Sequence, residues 1–593
     1  MSGMCGEVRF DQEPVDITAV QQMTDRMSSR GPDGSGIHSR SRWALGYRRR
    51  AVIDLTERGA QPMVDSQLGL AWVFSGCIVN HQDLRRALEK AGYRFFSQAD
   101  SEVIGKAYHH WGMDFVEQLR GMFAIALVET DSGRVVLARD RFGAKPIYLS
   151  EGPGRLRFAS SVQALLEAGD VDTSLDRVAL HHYFSFHAVV PAPRTIFNGI
   201  RKLPPATVRR YERDGQVTER RYWNPPYARD PEKADWSTEQ WQEALLGSFR
   251  EAVRMRMVAD VPVGVLLSGG FDSSLIVALL AERGHSNLKT FSIGFDAASG
   301  ETGDEYAYSN LVAETFGTDH RRIHIDTSRL EPAVLPSIRA MSEPMVSHDC
   351  VAFYLLSEEV SQHVRVVQSG QGADEVLGGY GWYPPLMDVP LDEATEAYSK
   401  VFFDRDHQRI NNLLEPAYRL GYDPSWAYAE AHLTAAGAQT SVDAALRLDS
   451  QTMLVEDPGK RVDNMTMAWG LEARMPFLDH EFVELAAACP PELKLAGGGK
   501  GVLKQASRGV VPDAVIDRTK GHFPVPGIRH LSGGLLDLVH DALDSQVARY
   551  RGLYRREALE ELYADPNAHR TALDANTLWQ VATLELWLQE LGR

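Results

Sequence analysis

Cysteine is scarce in this sequence, since only four of its 593 residues are cysteines and no two of them have a CxxC spacing. Zinc sites and disulfide frameworks depend on paired cysteines, so neither is expected. Long apolar runs are also missing, and the first 25 residues carry acidic groups where a signal peptide has an apolar core. These absences exclude a membrane partner and predict a cytoplasmic protein.

Basic residues are in the minority, because 63 Lys and Arg stand against 80 Asp and Glu and give a net charge of −17. Such a balance opposes a broad nucleic-acid surface, so no nucleic-acid partner is expected. The 19 histidines are scattered, and pairs such as His181 and His182 lack the spacing of metal ligands. A hydrophobic share of 44% over this length is ample for two cores.

A strand, a Gly-Ser turn and a helix follow one another directly between Val261 and Leu280. Gly269 and Gly270 allow a tight turn, while Ser268 and Ser273 place hydroxyl donors at the positive end of the helix. The Gly-Lys-Ser/Thr ending of a Walker loop is absent. Asp272 would repel phosphate unless it holds a metal ion, so the turn predicts a phosphate cradle with magnesium.

A second turn of the same character spans residues 369–375, SGQGADE, after the strand-like run 364–367. Ser369 and Gly370 again expose backbone donors, and Asp374 supplies a second carboxylate for the same ion. The two turns together predict one site for ATP and Mg²⁺.

These residues resemble the asparagine synthetase family, in which an SGGxDS pyrophosphate loop faces the second turn across the nucleotide. Further segments follow in the family's order: residues 460–464, 471–479 and 518–523. Within the second of these, Arg474 and Asp479 are expected to form a structural ion pair across the Met-Pro-Phe-Leu turn. The resemblance implies an AMP-forming ligase that activates a carboxylate with ATP and converts it to an amide. It also implies adenosine contacts at Leu266, Ile293 and Gly370, and a catalytic Lys520 that neutralises charge on the departing pyrophosphate.

Within the family, residues 380–385, 457–469 and 578–589 resemble N-acetylglutaminylglutamine amidotransferases. Gln371 and Glu375 fall at substrate positions. Asparagine synthetases usually carry Glu where this chain has Gln371, and a carboxylate there suits a free ammonium on the substrate. A neutral Gln371 suits an acylated nitrogen better, which predicts an N-acyl amino acid or dipeptide as acceptor. A neutral drift from Glu to Gln is the alternative.

The chain begins Met-Ser-Gly-Met-Cys-Gly, whereas glutamine-hydrolysing members begin with Met-Cys-Gly and use that cysteine as the nucleophile. Two alignments are open. Taking Met4 as the start makes Cys5 the nucleophile but places Arg9 where the family has glycine. Taking Ser2 as the counterpart places Gly3 and Gly6 correctly, and this alignment is preferred.

Other parts of a glutamine pocket are present. The resemblance implies that Arg49 holds the glutamine carboxylate, Asp100 its ammonium, and the N–H of Gly76 the oxyanion. Ser75 and Val79 replace the family's oxyanion-hole Asn and a Tyr. A decayed glutaminase is the preferred interpretation, against a working N-terminal serine hydrolase and a cysteine-to-serine change made by design.

The predicted architecture is α/β in two units. Residues 1–226 are expected to form a degenerate N-terminal nucleophile (Ntn) αββα glutaminase-type domain. A linker at 227–236 precedes a doubly wound pyrophosphate-loop synthetase domain, similar to adenine nucleotide α-hydrolases, at 237–593. Residues 237–257 are expected to form an amphipathic helix that begins at a Ser-Thr-Glu start signal, and the alternating strands and helices after it predict a parallel sheet. The expected partners are a small carboxylate and a nitrogen donor, either ammonia, glutamine or an amine. A homodimer is compatible with the sequence, and a tRNA-modifying pyrophosphate-loop enzyme is the alternative from another class.

Overall fold

Two antiparallel sheets lie face to face in the N-terminal unit. The computed structural model describes residues 2–11, 13–285, 287–296, 304–519, 521 and 529–593. One sheet has the strand order β10-β8-β9-β1-β3-β2 and the other the order β12-β11-β7-β6-β5-β4. The strands are β1 (Gly3–Arg9), β2 (Gly34–Arg40), β3 (Trp43–Arg49), β4 (Met63–Asp65), β5 (Leu70–Ile78), β6 (Gly121–Glu129), β7 (Val135–Arg139), β8 (Tyr148–Gly152), β9 (Arg155–Ala159), β10 (Arg201–Lys202), β11 (Thr207–Tyr211) and β12 (Val217–Arg221).

Alternation along these strands sends one set of side chains between the sheets and the other set beneath helices. Met4 and Val8 of β1 join Leu45 and Val73 in the core between the sheets, whereas Cys5 points outward and packs with Val20. The helices of this unit are α1 (Ile17–Arg26), α2 (His81–Lys90), α3 (Asp100–Trp111), α4 (Phe115–Gln118), α5 (Val162–Glu167) and α6 (Arg177–Ser185). The predicted αββα layering is confirmed.

The second unit is built on a five-stranded parallel sheet of order β15-β14-β13-β16-β17. Its strands are β13 (Val263–Leu266), β14 (Lys289–Phe295), β15 (Asp319–Ile325), β16 (Val366–Gln368) and β17 (Glu472–Arg474). The predicted helix before the first strand is present as α7 (Thr238–Met255), and Ser237 and Gln240 form a capping box at its start. The parallel sheet expected from alternating strands and helices is confirmed.

Helices cover this sheet and form most of the C-terminal region. They are α8 (Phe271–Glu282), α9 (Tyr306–Phe316), α10 (Leu330–Ala340), α11 (Asp349–Ser361), α12 (Ala373–Leu377), α13 (Ala394–Phe402), α14 (His407–Leu413), α15 (Pro424–Leu433), α16 (Ser441–Gln451), α17 (Lys460–Met467), α18 (His480–Ala488), α19 (Pro491–Leu495), α20 (Gly501–Ala506), α21 (Asp513–Ile516), α22 (Gly533–Asp544), α23 (Gln546–Arg551), α24 (Arg556–Ala564) and α25 (Thr577–Glu590). Across the described parts of the chain, no helix is both long enough and apolar enough to cross a bilayer.

Buried ion pairs join the two units. Lys145 Nζ and Arg30 Nη2 of the N-terminal unit lie 2.7 and 2.8 Å from the carboxylate of Asp463 in α17. Arg120 of the N-terminal unit lies 2.7 Å from Asp479, which also accepts from Arg256 at 2.9 Å. Charges that are buried at this depth require partners, so these contacts fix how the units meet.

Candidate active site

The first anion turn joins β13 to α8, as the sequence predicts. Ser268 Oγ lies 3.1 Å from Ser273 Oγ and accepts from the N–H of Gly270 at 3.2 Å, which holds the turn open toward a cavity. Gly269 lies behind this lining, where its carbonyl accepts from Arg518 Nη1 at 3.0 Å. The turn therefore presents hydroxyls and the start of α8 to the same space.

The second anion turn follows β16 and packs directly on the first. A Cβ atom on Gly370 would lie 2.9 Å from Asp272 Cβ and 3.1 Å from the backbone N of Ser273, so only glycine allows this approach. The N–H of Ser369 donates to the carbonyl of Arg474 in the neighbouring strand β17 at 2.9 Å. The two turns line one cavity of about 330 Å³. Sequence-predicted residues in its lining are Leu266, Ser268, Gly270, Asp272, Ser273, Ile293, Ser369, Gly370, Gln371 and Asp374.

Lys500 is a residue of this site that the sequence analysis missed. Its Nζ lies 2.6 Å from Asp272 and 2.9 Å from Asp374, so one ammonium bridges the acidic groups of the two turns. Burial opposes the charge, but both carboxylates raise the pKa of Lys500 above its ordinary value. Lys500 follows three glycines and has a φ of 60°, and that glycine run is the sequence signal that could have identified it.

The carboxylates of Asp272 and Asp374 also fit a magnesium ion. They come from different turns yet lie close enough to share one cation, as the Lys500 ammonium shows. Carboxylate oxygens are the ligands that Mg²⁺ prefers, usually one or two of them together with phosphate oxygens.

Arg461 of α17 also lines this cavity. Its Nη1 donates to Ser347 Oγ at 2.7 Å and lies 3.6 Å from the carboxylates of both Asp349 and Asp457. Burial opposes the charge, but Asp457 and Asp349 raise the pKa of Arg461. Arg461 and its partner Asp349 both line the cavity, and we call their part of its wall the acceptor end. Gln371 lines the same cavity.

The expected substrate residue Glu375 lies behind the cavity wall. It is almost fully buried and accepts from the hydroxyl of Tyr380 at 2.7 Å, while Tyr380 itself lines the cavity. Burial and the charge of Asp374 raise the pKa of Glu375 to about 7. Any effect of Glu375 on substrate would therefore pass through Tyr380.

Lys520, the expected catalytic lysine, lies outside the described residues. Its described neighbour Arg518 pairs with Glu305, and both residues line the cavity. The guanidinium of Arg518 also lies 4.0 Å from the ring centre of Tyr308.

A second, smaller cavity holds the expected glutamine-pocket residues. Ser2, Arg49, Gly76 and Asp100 all line it, within a volume of about 30 Å³. That volume has room for about two water molecules. Glu472 and Arg474 of the synthetase sheet close the cavity from the other side.

The polar groups around Ser2 are already engaged. Ser2 Oγ accepts from the hydroxyl of Tyr47 at 2.6 Å and from the N–H of Arg50 at 3.0 Å. Arg49 Nη2 donates to the carbonyls of Asp54 and Thr56 at 2.6 and 2.8 Å. The pocket therefore keeps its shape through internal hydrogen bonds.

Two further groups lie close to Ser2, of which Asp100 lines the cavity and Ser75 does not. Ser75 Oγ donates to the carbonyl of Ser2 at 2.6 Å, and Asp100 accepts from the N–H of Ile78 at 3.0 Å. Burial raises the pKa of Asp100. At Gly76 a Cβ atom would lie 2.0 Å from the carbonyl oxygen of Met122, so this position requires glycine.

Cys5 lies on the opposite face of β1 from this pocket. Its Sγ is 3.2 Å from Thr24 Oγ1 under helix α1, and the side chain is fully buried. Burial raises the pKa of the Cys5 thiol to about 12. A thiol in that position has neither the access nor the ionisation that a nucleophile needs.

The expected ion pair between Arg474 and Asp479 is wrong. Arg474 Nε donates to Glu472 at 2.7 Å, and Asp479 pairs with Arg256 and Arg120 instead. Residues two positions apart on a strand share one face, which explains the pairing of Arg474 with Glu472.

Three residues could form a further cation site that the histidine spacing did not indicate. The ligand atoms of His181, His407 and Asp423 lie within 4.8 Å of one another. Asn411 Nδ2 is 2.9 Å from His407 Nε2 and also donates to the carbonyl of Leu420. Because the Asn411 amide donates to Nε2 of His407, the proton of a neutral His407 is on Nδ1, which lies 2.9 Å from His181 Nε2. The cluster is therefore explained as a chain of hydrogen bonds without a metal ion.

Comparison with known proteins follows the same division of the chain. Residues 1–223 match a glutamine amidotransferase domain, and residues 244–589 match the asparagine synthase family. Asparagine synthetase [glutamine-hydrolyzing] 1 of Bacillus subtilis is 30% identical over 98% of this chain and 96% of its own length. Asparagine synthetase [glutamine-hydrolyzing] 3 of the same organism is 31% identical over 88% of this chain and 87% of its own length.

A putative asparagine synthetase of Mycobacterium bovis is 30% identical over 98% of this chain and 97% of its own length. Among solved structures, the glutamine phosphoribosylpyrophosphate amidotransferase of B. subtilis gives a TM-score of 0.31 at 13% identity. That match covers 55% of this chain and 91% of the solved chain.

Proposed function

The chain belongs to the asparagine synthetase family of ATP-dependent amide ligases, and from that premise we propose that it adenylates an N-acylated carboxylate and takes its nitrogen from ammonia or an amine. Glutamine is an inefficient donor in this proposal. The main support is the hydrogen bond that the Ser75 hydroxyl donates to the carbonyl of Ser2. Ser75 stands where the family has its oxyanion-hole Asn, and its only hydroxyl proton is already used in this bond.

The synthetase site would use the two anion turns for the triphosphate. Ser268 and Ser273 would bind the β and γ phosphates, and Asp272 and Asp374 would hold a magnesium ion, which would neutralise phosphate charge. Lys500 is placed to move from these carboxylates to the pyrophosphate as it departs. Attack of a carboxylate oxygen on the α-phosphorus then releases pyrophosphate and leaves an acyl-adenylate, which the nitrogen donor converts to an amide with release of AMP.

The nitrogen source follows from the N-terminal pocket. Serine is a weaker nucleophile than cysteine at neutral pH, and Cys5 is on the wrong face of β1 to replace it. The Gly76 N–H remains as an oxyanion donor, but the loss of a second donor typically costs about 100- to 1000-fold in rate. A cavity of about 30 Å³ also requires its walls to move before glutamine can enter.

The acceptor is inferred from the charges at the acceptor end. Arg461 lies between two carboxylates, so this group of three carries no net positive charge with which to hold a second carboxylate of a substrate. Gln371 likewise offers an amide rather than a charge. Together they favour a monocarboxylate whose nitrogen is acylated, such as an N-acyl amino acid or dipeptide, over aspartate.

Pyrophosphate release tests both parts of the proposal. N-acetylated dipeptides and aspartate are each supplied with ATP and Mg²⁺, together with glutamine, ammonium or a primary amine. The expected result is pyrophosphate and AMP with an acylated acceptor and ammonium or amine, and little glutamate from glutamine. ADP with phosphate would refute the ligase chemistry, and glutamate release that is abolished in Ser2→Ala would establish a serine nucleophile.

Lys520→Ala provides a separate check on the catalytic lysine. We expect turnover to fall by roughly two orders of magnitude or more with the fold intact, since a lysine there acts on charge in the transition state. Near-normal turnover would remove Lys520 from the mechanism.

A further inference from the structure

Lys202 of the N-terminal unit reaches into the synthetase unit beside the acceptor end. It lies on β10, and its side chain is 2% exposed. Its Nζ donates to the carbonyl of Val190 at 2.6 Å and to the carboxylates of Glu343 and Glu456 at 2.8 Å each. Both glutamates belong to the synthetase unit, so one ammonium joins two of its segments.

These two segments continue into the walls of the acceptor end. Glu343 is four positions before Ser347 and six before Asp349, and Glu456 is five positions before Arg461. The far ends of the segments meet again where Arg461 donates to Ser347. The two segments are therefore connected at two points, through Lys202 at Glu343 and Glu456 and through Arg461 at Ser347.

The segment that carries Glu456 and Arg461 is not a plain helix. Residues Val455–Gly459 form a π-helical turn with Pro458 inside it, and this turn runs into α17. Such turns lack the regular hydrogen bonds that hold an α-helix in one geometry, and they occur frequently at functional sites. A contact from outside the segment is therefore needed to fix the direction in which Arg461 points.

The charges in this contact balance only with both units present. Lys460 lies 3.4 Å from Glu343 and 3.3 Å from Glu456, so two lysines face two glutamates in a buried space. Although burial opposes ionisation, Lys202 and Lys460 lower the pKa of Glu456 to about 2. Among the described residues, Oε1 of each glutamate has no hydrogen-bond partner, so the glutamates depend on the lysines.

We propose that Lys202 is a positioning residue of the ligase reaction: it sets the spacing between the 343–349 and 455–461 walls of the acceptor end. The N-terminal unit then serves amide formation whether or not it hydrolyses glutamine. This inference rests on the proposed binding of the acceptor beside Arg461 and not on the proposed nitrogen source.

Hydrogen–deuterium exchange of the full-length chain gives a test that needs no substrate. Lys202→Met should speed exchange in residues 343–349 and 455–463 by about tenfold or more, while residues 263–275 of the first anion turn stay protected. Lys106→Met is the matched control, because Lys106 is equally buried and pairs with Glu102 at 2.7 Å inside the N-terminal unit alone. Unchanged exchange in both walls, or equal effects of the two variants, would overturn the proposal.

Kinetics separate positioning from charge balance. With the acceptor found by pyrophosphate screening, Lys202→Met should raise the acceptor KM about tenfold and leave the ATP KM within about twofold of wild type. Lys202→Met/Glu343→Gln restores neutrality, so it should recover thermal stability while the acceptor KM stays high. If the double variant recovered the wild-type acceptor KM, Lys202 would only balance charge and the proposal would be wrong. A wild-type acceptor KM in Lys202→Arg would support the proposal.

Discussion

Restoring a cysteine at position 2 should not by itself restore glutamine hydrolysis. In Ser2→Cys the thiol takes the place of a hydroxyl that accepts from Tyr47 and Arg50, and it supplies the stronger nucleophile of the family. In the proposed site, the oxyanion that forms next would still meet the N–H of Gly76 but no second donor from position 75. The Ser75 hydroxyl remains bonded to the carbonyl of residue 2 at 2.6 Å.

The size of the remaining deficit follows from that single missing donor. One oxyanion donor is worth about 2.7–4 kcal/mol, or about 100- to 1000-fold in rate. Ser2→Cys/Ser75→Asn should therefore release glutamate about 100 to 1000 times faster than Ser2→Cys alone at saturating glutamine. Cys5→Ala in the same backgrounds should change nothing, since Cys5 lies under α1.

The assay is glutamate release from glutamine, with intact mass used to confirm that Met1 has been removed and the α-amine of residue 2 is free. Ammonium-dependent pyrophosphate release from the same preparations reports the integrity of the synthetase unit. If Ser2→Cys alone matched the double variant, the Ser75 hydrogen bond would have no bearing on catalysis. If the wild-type chain already matched it, the altered pocket would be a working serine hydrolase.

Three other changes test the synthetase unit and its contacts. Lys500→Met should reduce turnover by at least about 100-fold, as measured by pyrophosphate release, because the departing pyrophosphate loses the cation that Lys500 would supply. Asp463→Asn should lower the free energy of unfolding in urea by about 3–5 kcal/mol, since it leaves two buried cations from the N-terminal unit without their partner; a loss below about 1 kcal/mol would contradict this. Glu375→Gln should remove a pH dependence of stability. Because the pKa of Glu375 is raised, the protonated side chain contributes stability fully below about pH 4.5, and this contribution is lost as pH rises through about 7. In thermal unfolding at pH 8 the variant should therefore be more stable than the wild-type chain.

The sequence predicts the parts of this molecule whose causes are local. The strand, turn and helix from Val263 to Glu282 could be predicted because apolar flanks, two glycines and a serine cluster occur together. The Ser-Thr-Glu signal at Ser237 predicted the start of α7 for the same reason, and the structure adds a capping box there. Both features depend on neighbours within a few positions along the chain.

Contacts between residues that are far apart in the sequence could not be predicted in this way. Lys500 is 228 positions from Asp272, and no periodicity in the sequence connects the two. Arg474 and Asp479 were paired because they are close in sequence, yet Asp479 binds Arg256 from 223 positions away. Which charged side chains pair in a buried interface depends on how the two units pack, and a single sequence does not contain that information in a readable form.

The hydrogen bond between Ser369 and Arg474 gives the two cavities a common boundary. Ser369 belongs to the second anion turn, and Arg474 lines the pocket of Ser2. One backbone hydrogen bond of β17 therefore connects the walls of both cavities, so a substitution that relaxed the pocket around Ser2 would be expected to disturb the second anion turn as well. An N-terminal pocket without a working nucleophile would still be kept in shape by selection on the neighbouring site, and the proposed function would then explain why Arg49, Gly76 and Asp100 remain around a serine.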